Sequence, residues 1–393
     1  MKNKHIGLVL SNVPGYSETF FRNKIKGLQE NGFKVVLFVN ENQSQQTRFL
    51  CDVIVAPNFN LNPFGKFLNV FRVLIKACFA TPKESYRLYV LDKKDGLPFK
   101  TRLKRVLANQ FLLSQKLDWL HYGFGMLAVD RENVAEAIGA NMAVSFRGFD
   151  LYLSPLKHNN CYINLFSKRV KYHVLSEEMK EDLKAYSVLE SKIKVITPAI
   201  DVHYFDYNRN TNKSEIVNIL TVARLHWKKG IEYTLEALYY LKQEGVKFHY
   251  TIVGEGIELE RLKFAVHQLD LIDEVTFKGK LPHNEVKKQL QQSQIYLQYS
   301  IQEGFCNAVL EAQAMGLMCV VSNAEGLSEN VLHNRTGWVV PKRNPRALKD
   351  TIKTVIEMSL DDQNKIREKA ISRVKNEFHI LKQQNDFVEF YSE

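Results

Sequence analysis

The stretch that decides the interpretation of this chain runs from residue 300 to residue 316 and reads SIQEGFCNAVLEAQAMG. It follows an apolar run at 294–298 that is short enough to be a buried strand. From Phe305 onward, strong helix formers predict a helix, and Gly316 stands where a C-terminal cap belongs. Because a helix N-terminus presents unpaired N–H groups, this strand, turn and helix together predict an anion-binding site.

Two glutamates of the stretch are placed to bind the hydroxyl groups of a ligand. Glu303 stands just before the helix, and Glu311 lies two turns into it. A carboxylate accepts hydrogen bonds from hydroxyls, so an anion flanked by two hydroxyl-bearing rings, such as a nucleotide sugar, fits the pattern. The alternative is a plain helix with an acidic N-terminus and one solvated glutamate, and these residues alone favour that alternative.

Length and composition indicate a two-domain protein of a reducing compartment. A chain of 393 residues is too long for one ordinary core. The five cysteines are scattered without a CxxC pair, which predicts free thiols in a reducing cytosol. The apolar run at 6–10 is too short for a signal peptide, and no segment approaches about eighteen uncharged apolar residues. We therefore expect a cytoplasmic protein that does not span a membrane.

Basic residues are concentrated in the first half of the chain. Residues 1–200 contain 29 Lys and Arg against 17 Asp and Glu, whereas residues 201–393 contain 25 against 26. Eleven basic and three acidic residues fall within 64–107, and seven of the basic residues but none of the acidic ones lie on helices predicted at 64–79 and 99–116. Because basic amphipathic helices bind anionic membranes, we expect peripheral contact with the inner face of the cell membrane through segment 64–107.

The plainer explanation of this charge is a helix that covers the sheet and has a solvated basic face. A nucleic-acid partner is disfavoured, because no recognition motif and no stacking pattern of aromatic residues accompanies the charge.

Strand and helix patterns alternate along the whole chain. They begin with a strand at 5–10 and restart after a polar, irregular segment at 198–214. This alternation predicts two α/β domains with parallel, doubly wound sheets. No GxGxxG fingerprint occurs in the sequence, which disfavours a dinucleotide-binding dehydrogenase.

Two more strand ends in the second half carry groups that suit phosphate. Arg224 and Lys229 follow one predicted strand and stand at the start of a helix. A guanidinium and an ammonium in that position suit a diphosphate leaving group. Gly254-Glu255-Gly256 follows the next strand and forms a turn that permits close approach of a backbone. Together with 300–316, these strand ends predict a nucleotide diphosphate site.

Motifs of other phosphate chemistries are missing from the sequence. Neither a Walker A sequence nor a kinase signature set occurs, which argues against phosphoryl transfer. No DxD occurs either, so we expect no metal ion, and Arg224, Lys229 and helix dipoles would neutralise the leaving group. We expect no cofactor, since a nucleotide diphosphate sugar bound at this site would be a substrate.

These motifs resemble those of the family 4 (group 1) retaining glycosyltransferases. EGFCNAVLE at 303–311 resembles the E-x7-E signature, and ARLHWKKG at 223–230 resembles the diphosphate-binding pair. Segments of the first half that also resemble the family are SETF at 17–20, HYGFG at 121–125 and TPAID at 197–201. The SETF form looks most like members that build exopolysaccharide, colanic-acid-type or O-antigen chains. The resemblance covers nearly the whole chain.

The resemblance implies a GT-B fold, in which two Rossmann-like domains face a cleft. It implies an acceptor-binding domain at 1–198, joined by a C-terminal helix at 379–393, and a donor-binding domain at 199–378. It also implies a retaining, metal-independent hexosyltransferase that uses a nucleotide diphosphate sugar, with UDP favoured and GDP next. The acceptor is expected to be a saccharide, lipid-linked, in surface polysaccharide synthesis.

The same resemblance assigns roles on the donor side. Arg224 and Lys229 would hold the diphosphate, Glu303 would bind sugar hydroxyls, and Glu311 would bind the ribose. Arg224, Lys229 and Glu303 are the expected catalytic residues. The further donor-binding residues are Gly254, Glu255, Gly256, Gly304, Phe305, Cys306 and Asn307, with backbone amides near 305–307 on the distal phosphate.

The acceptor side departs from the family pattern. Members commonly have an H-G-x-D element where this chain has Arg147-Gly-Phe-Asp150. Arginine cannot act as a general base near neutral pH, but it binds an acceptor phosphate or a donor carboxylate. The acceptor-side candidates are Gly15, Ser17, His121, Arg147 and Asp150, and His121 is equally well explained as a structural histidine.

Two other classes of protein stay open at this point. One is a catalytically inactive GT-B protein that binds nucleotide and serves as an assembly partner, which Arg147 keeps open. The other is a GT-B sugar-nucleotide epimerase or a phosphorylase, which would act without a lipid-linked acceptor.

Overall fold

The computed structural model describes residues 4–15, 19–41, 49–59, 62–206 and 215–392. The chain divides into two compact units. The first unit contains Met1–Val174, Lys180–Ile196 and Gln384–Glu393, and the second contains Leu175–Met179 and Thr197–Gln383. The binding roles assigned to the two domains remain predictions.

The first unit is built on one parallel sheet. Its strands are β1 (His5–Leu10), β2 (Lys34–Val39), β3 (Asp52–Val55), β4 (Trp119–Tyr122), β5 (Asn141–Ser145), β6 (Val170–Val174) and β7 (Ile193–Val195). The seven strands lie in the order β3-β2-β1-β4-β5-β6-β7, and every described pair is parallel. Strand β1 is buried from Ile6 to Leu10, as expected for a parallel strand covered on both faces.

Helices connect these strands and cover the sheet. They are α1 (Thr19–Glu30), α2 (Pro63–Ile75), α3 (Pro82–Lys94), α4 (Phe99–Ala108), α5 (Gln110–Leu113), α6 (Gly125–Ala128), α7 (Val134–Ile138), α8 (Phe149–Tyr152), α9 (Ser154–Lys157), α10 (Ile163–Phe166) and α11 (Glu177–Ala185). A π-helical segment, Lys76–Ala80, continues α2. The helix predicted at 99–116 is interrupted after Ala108, where Asn109 leaves helical geometry.

The second unit repeats the architecture with a smaller sheet. Its strands are β8 (Val217–Val222), β9 (Phe248–Val253), β10 (Val275–Gly279), β11 (Ile295–Gln298), β12 (Met318–Ser322) and β13 (Trp338–Val340). Its helices are α12 (Ile231–Gln243), α13 (Leu259–Gln268), α14 (His283–Gln292), α15 (Asn307–Ala314), α16 (Leu327–Asn330), α17 (Pro345–Glu357) and α18 (Leu360–Glu377). The helix that follows, α19 (Ile380–Ser392), begins in the second unit and belongs to the first unit from Gln384 onward. The six strands are parallel and lie in the order β10-β9-β8-β11-β12-β13.

The predicted fold class is confirmed by these two parallel sheets. Gly316 follows α15 with a φ of 73°, which is the left-handed conformation expected of the predicted cap. Strands β3 and β13 were not predicted from the sequence. In the second unit, strand order reverses between β8 and β11, which is where open α/β sheets bind ligands.

A chain of hydrogen bonds inside the first unit links β4, β5 and β6 to α19. Nε2 of His121 lies 2.7 Å from Oγ of Ser145, and this oxygen lies 2.7 Å from Nδ1 of His173. At one end, Nε2 of His173 lies 3.0 Å from the carbonyl oxygen of Ile196. At the other end, the Tyr391 hydroxyl of α19 lies 2.5 Å from Nδ1 of His121.

The carbonyl at one end sets the direction of every bond in this chain. Burial lowers the pKa of His121 and His173 well below the usual value, so both rings are neutral. A carbonyl oxygen accepts, so Nε2 of His173 donates and its Nδ1 accepts from the Ser145 hydroxyl. Ser145 then accepts from Nε2 of His121, whose Nδ1 accepts from Tyr391. A satisfied buried network therefore ties α19 to the sheet.

We expect the free energy of unfolding to fall as the pH drops below about 6.5, the usual pKa of histidine. Burial and the nearby charge of Lys24 lower the folded-state pKa of His121 and His173, so the unfolded chain takes up these protons first. The loss approaches about 1.4 kcal/mol per pH unit for each histidine until the folded pKa is reached. Thermal unfolding measured between about pH 7 and pH 5 tests this expectation.

A His173→Gln variant is the matched control, since it has no ring to protonate. It should be less stable than the wild type near neutral pH but should lose less stability on acidification. An equal loss in both proteins would show that His173 does not contribute to the acid sensitivity.

Candidate active site

Three loops at the carboxyl ends of neighbouring strands form the candidate donor site in the second unit. They are residues 223–230 after β8, residues 254–256 after β9 and residues 299–306 after β11. In the sheet, β8 lies between β9 and β11, so its loop has the other two loops on either side. The predicted donor residues of the second unit, which are far apart in the sequence, come together at this sheet edge.

Backbone hydrogen bonds join the first and third loops. The amides of Ile301 and Gln302 donate to the carbonyl oxygen of Lys228, at 2.7 Å and 3.3 Å. This contact holds Lys228 beside Gln302, so the next residue of the first loop lies opposite the next residue of the third loop. Lys229 is therefore placed beside Glu303.

Lys229 and Glu303 form an ion pair that is almost removed from solvent. The ammonium contacts Oε2 of Glu303, and each side chain is 11% exposed. Burial opposes the charge on Lys229, but the neighbouring Glu303 carboxylate outweighs burial and raises the lysine pKa. The lysine is thus held as a cation, and the pair is the most enclosed pair of opposite charges among the predicted site residues.

Strand β11 supplies a second support for the Glu303 carboxylate. The Ser300 hydroxyl donates to Oε2 of Glu303 at 3.3 Å, and the Gln298 side-chain amide donates to Ser300 Oγ at 2.9 Å. Gln298 and Ser300 are fully buried. They stand two residues apart, so alternation along the extended chain directs both toward the same side. The predicted stretch 300–316 contains Ser300, but the sequence did not indicate this role.

Arg224 lies in the same loop as Lys229 and is exposed to solvent. Within the described part of the chain, its guanidinium forms no ion pair. Its charge lowers the pKa of Lys229, in opposition to Glu303. An exposed guanidinium next to an enclosed ammonium is an arrangement that an entering diphosphate would stabilise.

The turn Gly254-Glu255-Gly256 packs against the loop that carries Arg224. The carbonyl oxygen of Glu255 accepts from the Leu225 amide at 2.9 Å. A Cβ at Gly254 would lie 1.9 Å from the Ala223 carbonyl oxygen, and one at Gly256 would lie 2.2 Å from that of Leu225. The glycines therefore permit close approach of the 223–225 backbone, and the Glu255 side chain is exposed. They pack against the backbone on either side of Arg224.

The backbone amides before α15 divide into two sets. Those of Glu303 and Cys306 donate to the side chains of Glu325 and Asn330, at 2.8 Å and 2.9 Å. Gly304, Phe305 and Asn307 have amides with no hydrogen-bond partner among the described residues. Cys306 was predicted to offer its amide to phosphate, but in this structure that amide is already bonded to Asn330.

Glu311 of α15 lies beside a histidine that the sequence did not indicate. Nε2 of His283, the first residue of α14, is 3.6 Å from Oε1 of Glu311. Burial raises the pKa of Glu311, and the contact with Glu311 raises the pKa of His283 against burial. The His283 ring stacks on Tyr204 with centroids 5.2 Å apart. A histidine that follows a strand end was the available signal for this residue.

In the first unit, Asp150 is a structural carboxylate. Its two oxygens accept from the amides of Gly125, at 2.9 Å, and Arg147, at 2.8 Å. It is 4% exposed, and burial raises its pKa although these hydrogen bonds oppose the shift. Asp150 therefore ties the loop after β4 to the loop after β5.

The other acceptor-side candidates lie in different surroundings. The guanidinium of Arg147 lies over the Phe20 ring, 3.8 Å from its centroid. His121 is fully buried in the hydrogen-bond chain described above, which favours the structural alternative for this residue. Gly15 is exposed, and Ser17 lies outside the described residues. The acceptor-side assignments remain predictions.

The segment at 64–107 presents an apolar surface as well as charge. Phe64, Phe67, Phe71 and Phe79 are each more than half exposed. They lie on α2 and the π-helical segment that continues it, at spacings of three, four and eight residues. Exposed aromatic side chains clustered in this way mark an interaction surface.

Not every basic residue of this segment contributes to that surface. Arg105 is 8% exposed, and its guanidinium pairs with Asp130 at 2.7 Å and Glu132 at 3.2 Å. Lys100 and Lys104 of the same helix are exposed.

No helix among the described residues has both the length and the apolar content needed to cross a membrane. Across the described ranges, no group of three or more His, Cys, Asp or Glu could hold a metal ion.

Comparison with known proteins identifies a related family. The family model described as "Glycosyl transferases group 1" matches residues 206–373. WcaL of Escherichia coli, named as a colanic acid biosynthesis glycosyltransferase, is 25% identical over 95% of this chain and 96% of its own. The amylovoran biosynthesis glycosyltransferase AmsK of Erwinia amylovora is 30% identical over 62% of each chain.

Solved structures with the same fold cover the whole chain. A glycosyltransferase from Rickettsia africae has a TM-score of 0.71 and 21% identity, covering 100% of this chain and 98% of its own. Anabaena Alr3699/HepE, in complex with UDP and glucose, has a TM-score of 0.73 and 16% identity, covering 99% of both chains. These likenesses confirm the predicted GT-B fold.

We expect Glu311→Gln to abolish the pH dependence of stability that His283 contributes above about pH 6.5. In the wild type, the folded-state pKa of His283 is raised, so its stabilising contribution is present below about pH 6.5 and lost as the pH rises through the folded value. Without the Glu311 carboxylate, the largest cause of the raised pKa is gone, and burial, which lowers the pKa, is opposed only by the weaker influence of Asp201. Because the His283 side chain is 37% exposed, the difference should be at most about 1 kcal/mol.

Thermal unfolding between about pH 6 and pH 9 measures this difference. Glu285→Gln is the matched control, because it removes a carboxylate from the helix that carries His283. If Glu311→Gln and the wild type lost the same stability above pH 6.5, the His283–Glu311 contact would have no influence on the histidine.

Proposed function

The chain belongs to the group 1 glycosyltransferases, and from this membership we propose that it transfers a hexose from a nucleotide diphosphate sugar to a saccharide acceptor. We propose UDP as the favoured nucleotide, with GDP next, and a lipid-linked acceptor in surface polysaccharide synthesis. The names of the colanic acid and amylovoran relatives support this pathway class. The complex of a structural relative with UDP and glucose supports the donor class.

The observation that carries the proposal is the enclosed Lys229–Glu303 pair beside the exposed Arg224. Two cations and a carboxylate within one sheet edge match the two halves of a nucleotide sugar. The cations suit the diphosphate, and the carboxylate suits the hydroxyls of the sugar. Glu311, which contacts His283, lies on α15, eight residues after Glu303 in the chain, and we assign Glu311 to the ribose.

We propose that the reaction takes place on one face of the sugar. The bond from the anomeric carbon to the diphosphate oxygen breaks, and the acceptor hydroxyl oxygen bonds to the same carbon from the same face. The hydroxyl proton passes to the departing phosphate oxygen. Arg224, Lys229 and the unpartnered amides before α15 stabilise the charge that develops on the leaving group. Retention then needs no carboxylate nucleophile with a partner acid, unlike the two-carboxylate route of glycosidases.

We propose that this chemistry is independent of metal ions. The sequence contains no DxD element. The guanidinium of Arg224 and the ammonium of Lys229 would neutralise the diphosphate charge that a metal ion would otherwise neutralise. The first unit is assigned to the acceptor, with Arg147 assigned to an acceptor phosphate in place of the family's histidine.

We expect Lys229→Ala to lower kcat with the preferred nucleotide sugar by about two to three orders of magnitude. The substitution removes the enclosed cation that stabilises charge on the leaving diphosphate, and losses of this size follow removal of one such group. Release of nucleoside diphosphate from a panel of UDP and GDP sugars, with a saccharide acceptor, measures the effect.

Lys228→Ala is the control, because it removes the same charge from the neighbouring position and keeps the carbonyl that holds the third loop. It should retain most of the activity. Wild-type turnover should also persist in EDTA. Full activity in Lys229→Ala would refute the assignment of this lysine, and activity lost with EDTA would refute metal independence.

We propose further that segment 64–107 holds the protein on the inner face of the cell membrane. The exposed phenylalanines would enter the interfacial region, and exposed basic residues such as Lys100 and Lys104 would face anionic headgroups. Such contact would bring the enzyme to a lipid-linked acceptor.

Replacing Phe67 and Phe71 by serine should abolish sedimentation with vesicles that contain anionic phospholipid. Replacing Lys100 and Lys104 by glutamine should weaken sedimentation with these vesicles by a smaller amount, since each surface charge contributes about 1 kcal/mol. Raising the salt concentration should weaken sedimentation of the wild type by a similar amount. Arg105 is left intact because it is a buried ion partner.

The control for this experiment is a Phe264→Ser, Ile272→Ser double variant. It removes two apolar side chains of similar exposure from the second unit. Equal sedimentation of the Phe67/Phe71 variant and this control would contradict membrane contact through α2.

A further inference from the structure

Two side chains outside the E-x7-E stretch form hydrogen bonds with backbone groups of the loop that precedes α15. Oε2 of Glu325 accepts from the Glu303 amide at 2.8 Å, and the Gly326 amide donates to the Glu303 carbonyl oxygen at 3.3 Å. The other oxygen of Glu325 lies 3.5 Å from Nζ of Lys342. Both backbone groups of Glu303 are thus bonded by the segment that follows β12.

Asn330 makes the same kind of contact at the other end of the loop. Its Oδ1 accepts from the Cys306 amide at 2.9 Å, and its Nδ2 donates to the Cys306 carbonyl oxygen at 3.2 Å. A side-chain amide that bonds both backbone groups of one residue reproduces the pairing of a neighbouring strand. Asn330 is fully buried, so these bonds are shielded from competing water.

Close packing leaves the loop little freedom between these two points. A Cβ at Gly326 would lie 1.9 Å from the Gly304 carbonyl oxygen, so the two backbones are in direct contact there. The Ser322 hydroxyl donates to the Ser300 carbonyl oxygen. The loop is therefore bonded at Ser300, Glu303 and Cys306 by residues of a single later segment, 322–330.

We propose that Glu325 and Asn330 are positioning residues that hold this loop ready for the distal phosphate of the donor. They take the amides of Glu303 and Cys306 and leave those of Gly304, Phe305 and Asn307 unpartnered among the described residues. The inference rests on the proposed function, since it needs the loop to face a diphosphate. It adds two residues that touch neither sugar nor phosphate.

The physical reason is the cost of ordering a loop at the moment of binding. Fixing the backbone of one residue in a single conformation costs about 1–2 kcal/mol in free energy, because conformational entropy is lost. Donors already held in place avoid that cost and stabilise charge without reorganisation. Glu325 and Asn330 would meet this cost during folding, before the ligand arrives.

Affinities for UDP and UMP, measured by thermal shift, test the proposal. UMP lacks the distal phosphate, so a positioning role affects UDP alone, whereas general damage to the site weakens both. Asn330→Leu, of similar volume, should bind UDP at least about tenfold more weakly and UMP nearly unchanged. Glu325→Ala should behave in the same way, and Glu325→Gln, which retains an oxygen acceptor, should restore UDP binding.

Ser328→Ala is the matched control, because this exposed serine lies in the same segment and donates to the Glu325 carbonyl oxygen at 3.1 Å. Variants that discriminate UDP from UMP as well as the wild type does would overturn the positioning role. Glu325 is partly exposed, so its variants provide the test if Asn330→Leu does not fold.

Hydrogen exchange in the ligand-free proteins separates this proposal from the proposed function. The Glu303 and Cys306 amides should exchange faster in Glu325→Ala and Asn330→Leu, respectively, than in the wild type. Unchanged exchange would overturn the positioning role whatever the ligand is. A wild type that binds neither UDP nor GDP would instead overturn the proposed donor.

Discussion

The ion pair between Lys229 and Glu303 is the constraint on which the proposed donor site depends. Each of these side chains is 11% exposed, and an isolated charge at that depth is costly. The pair is tolerated because each partner offsets the charge of the other and because Ser300 adds a hydrogen bond to the carboxylate. A ligand that brings both phosphate charge and sugar hydroxyls can replace each half of the pair with a matching group. The same enclosure that makes the pair expensive therefore suits it to a nucleotide sugar.

Secondary contacts keep this pair in place, and most of them involve backbone groups. The Lys228 carbonyl oxygen joins the first loop to the third, and the glycines at 254 and 256 allow the second loop to pack against the first. Glu325 and Asn330 hold the third loop from its other side. Backbone contacts of this kind depend on chain path more than on side-chain identity. They position the charged groups without adding charge close to the ligand, apart from Glu325, which Lys342 balances.

The first unit uses its buried polar groups for a different purpose. The hydrogen-bond chain from Ile196 to Tyr391 and the Asp150 carboxylate connect strands, loops and the C-terminal helix. In these contacts His121 and Asp150, which the family resemblance places on the acceptor side, act as internal supports. Arg147, over the Phe20 ring, is the acceptor-side candidate with a charge that a phosphate can use.

The sequence by itself determined the two-sheet α/β architecture, and it selected the turn before α15 and the residues Arg224, Lys229, Glu303 and Glu311 as candidates for the site. Period-two and period-3.6 patterns, together with residues placed at strand ends, are local properties that a single chain displays. Tertiary structure alone decided that Lys229 pairs with Glu303, that Glu311 meets His283, and that Asn330 occupies the Cys306 amide. It also decided that Arg105 is a buried ion partner and that Gly254 and Gly256 support a loop. These contacts join residues separated by 20 to more than 70 positions, and the crossing order of the strands, which sequence periodicity does not encode, brings them together.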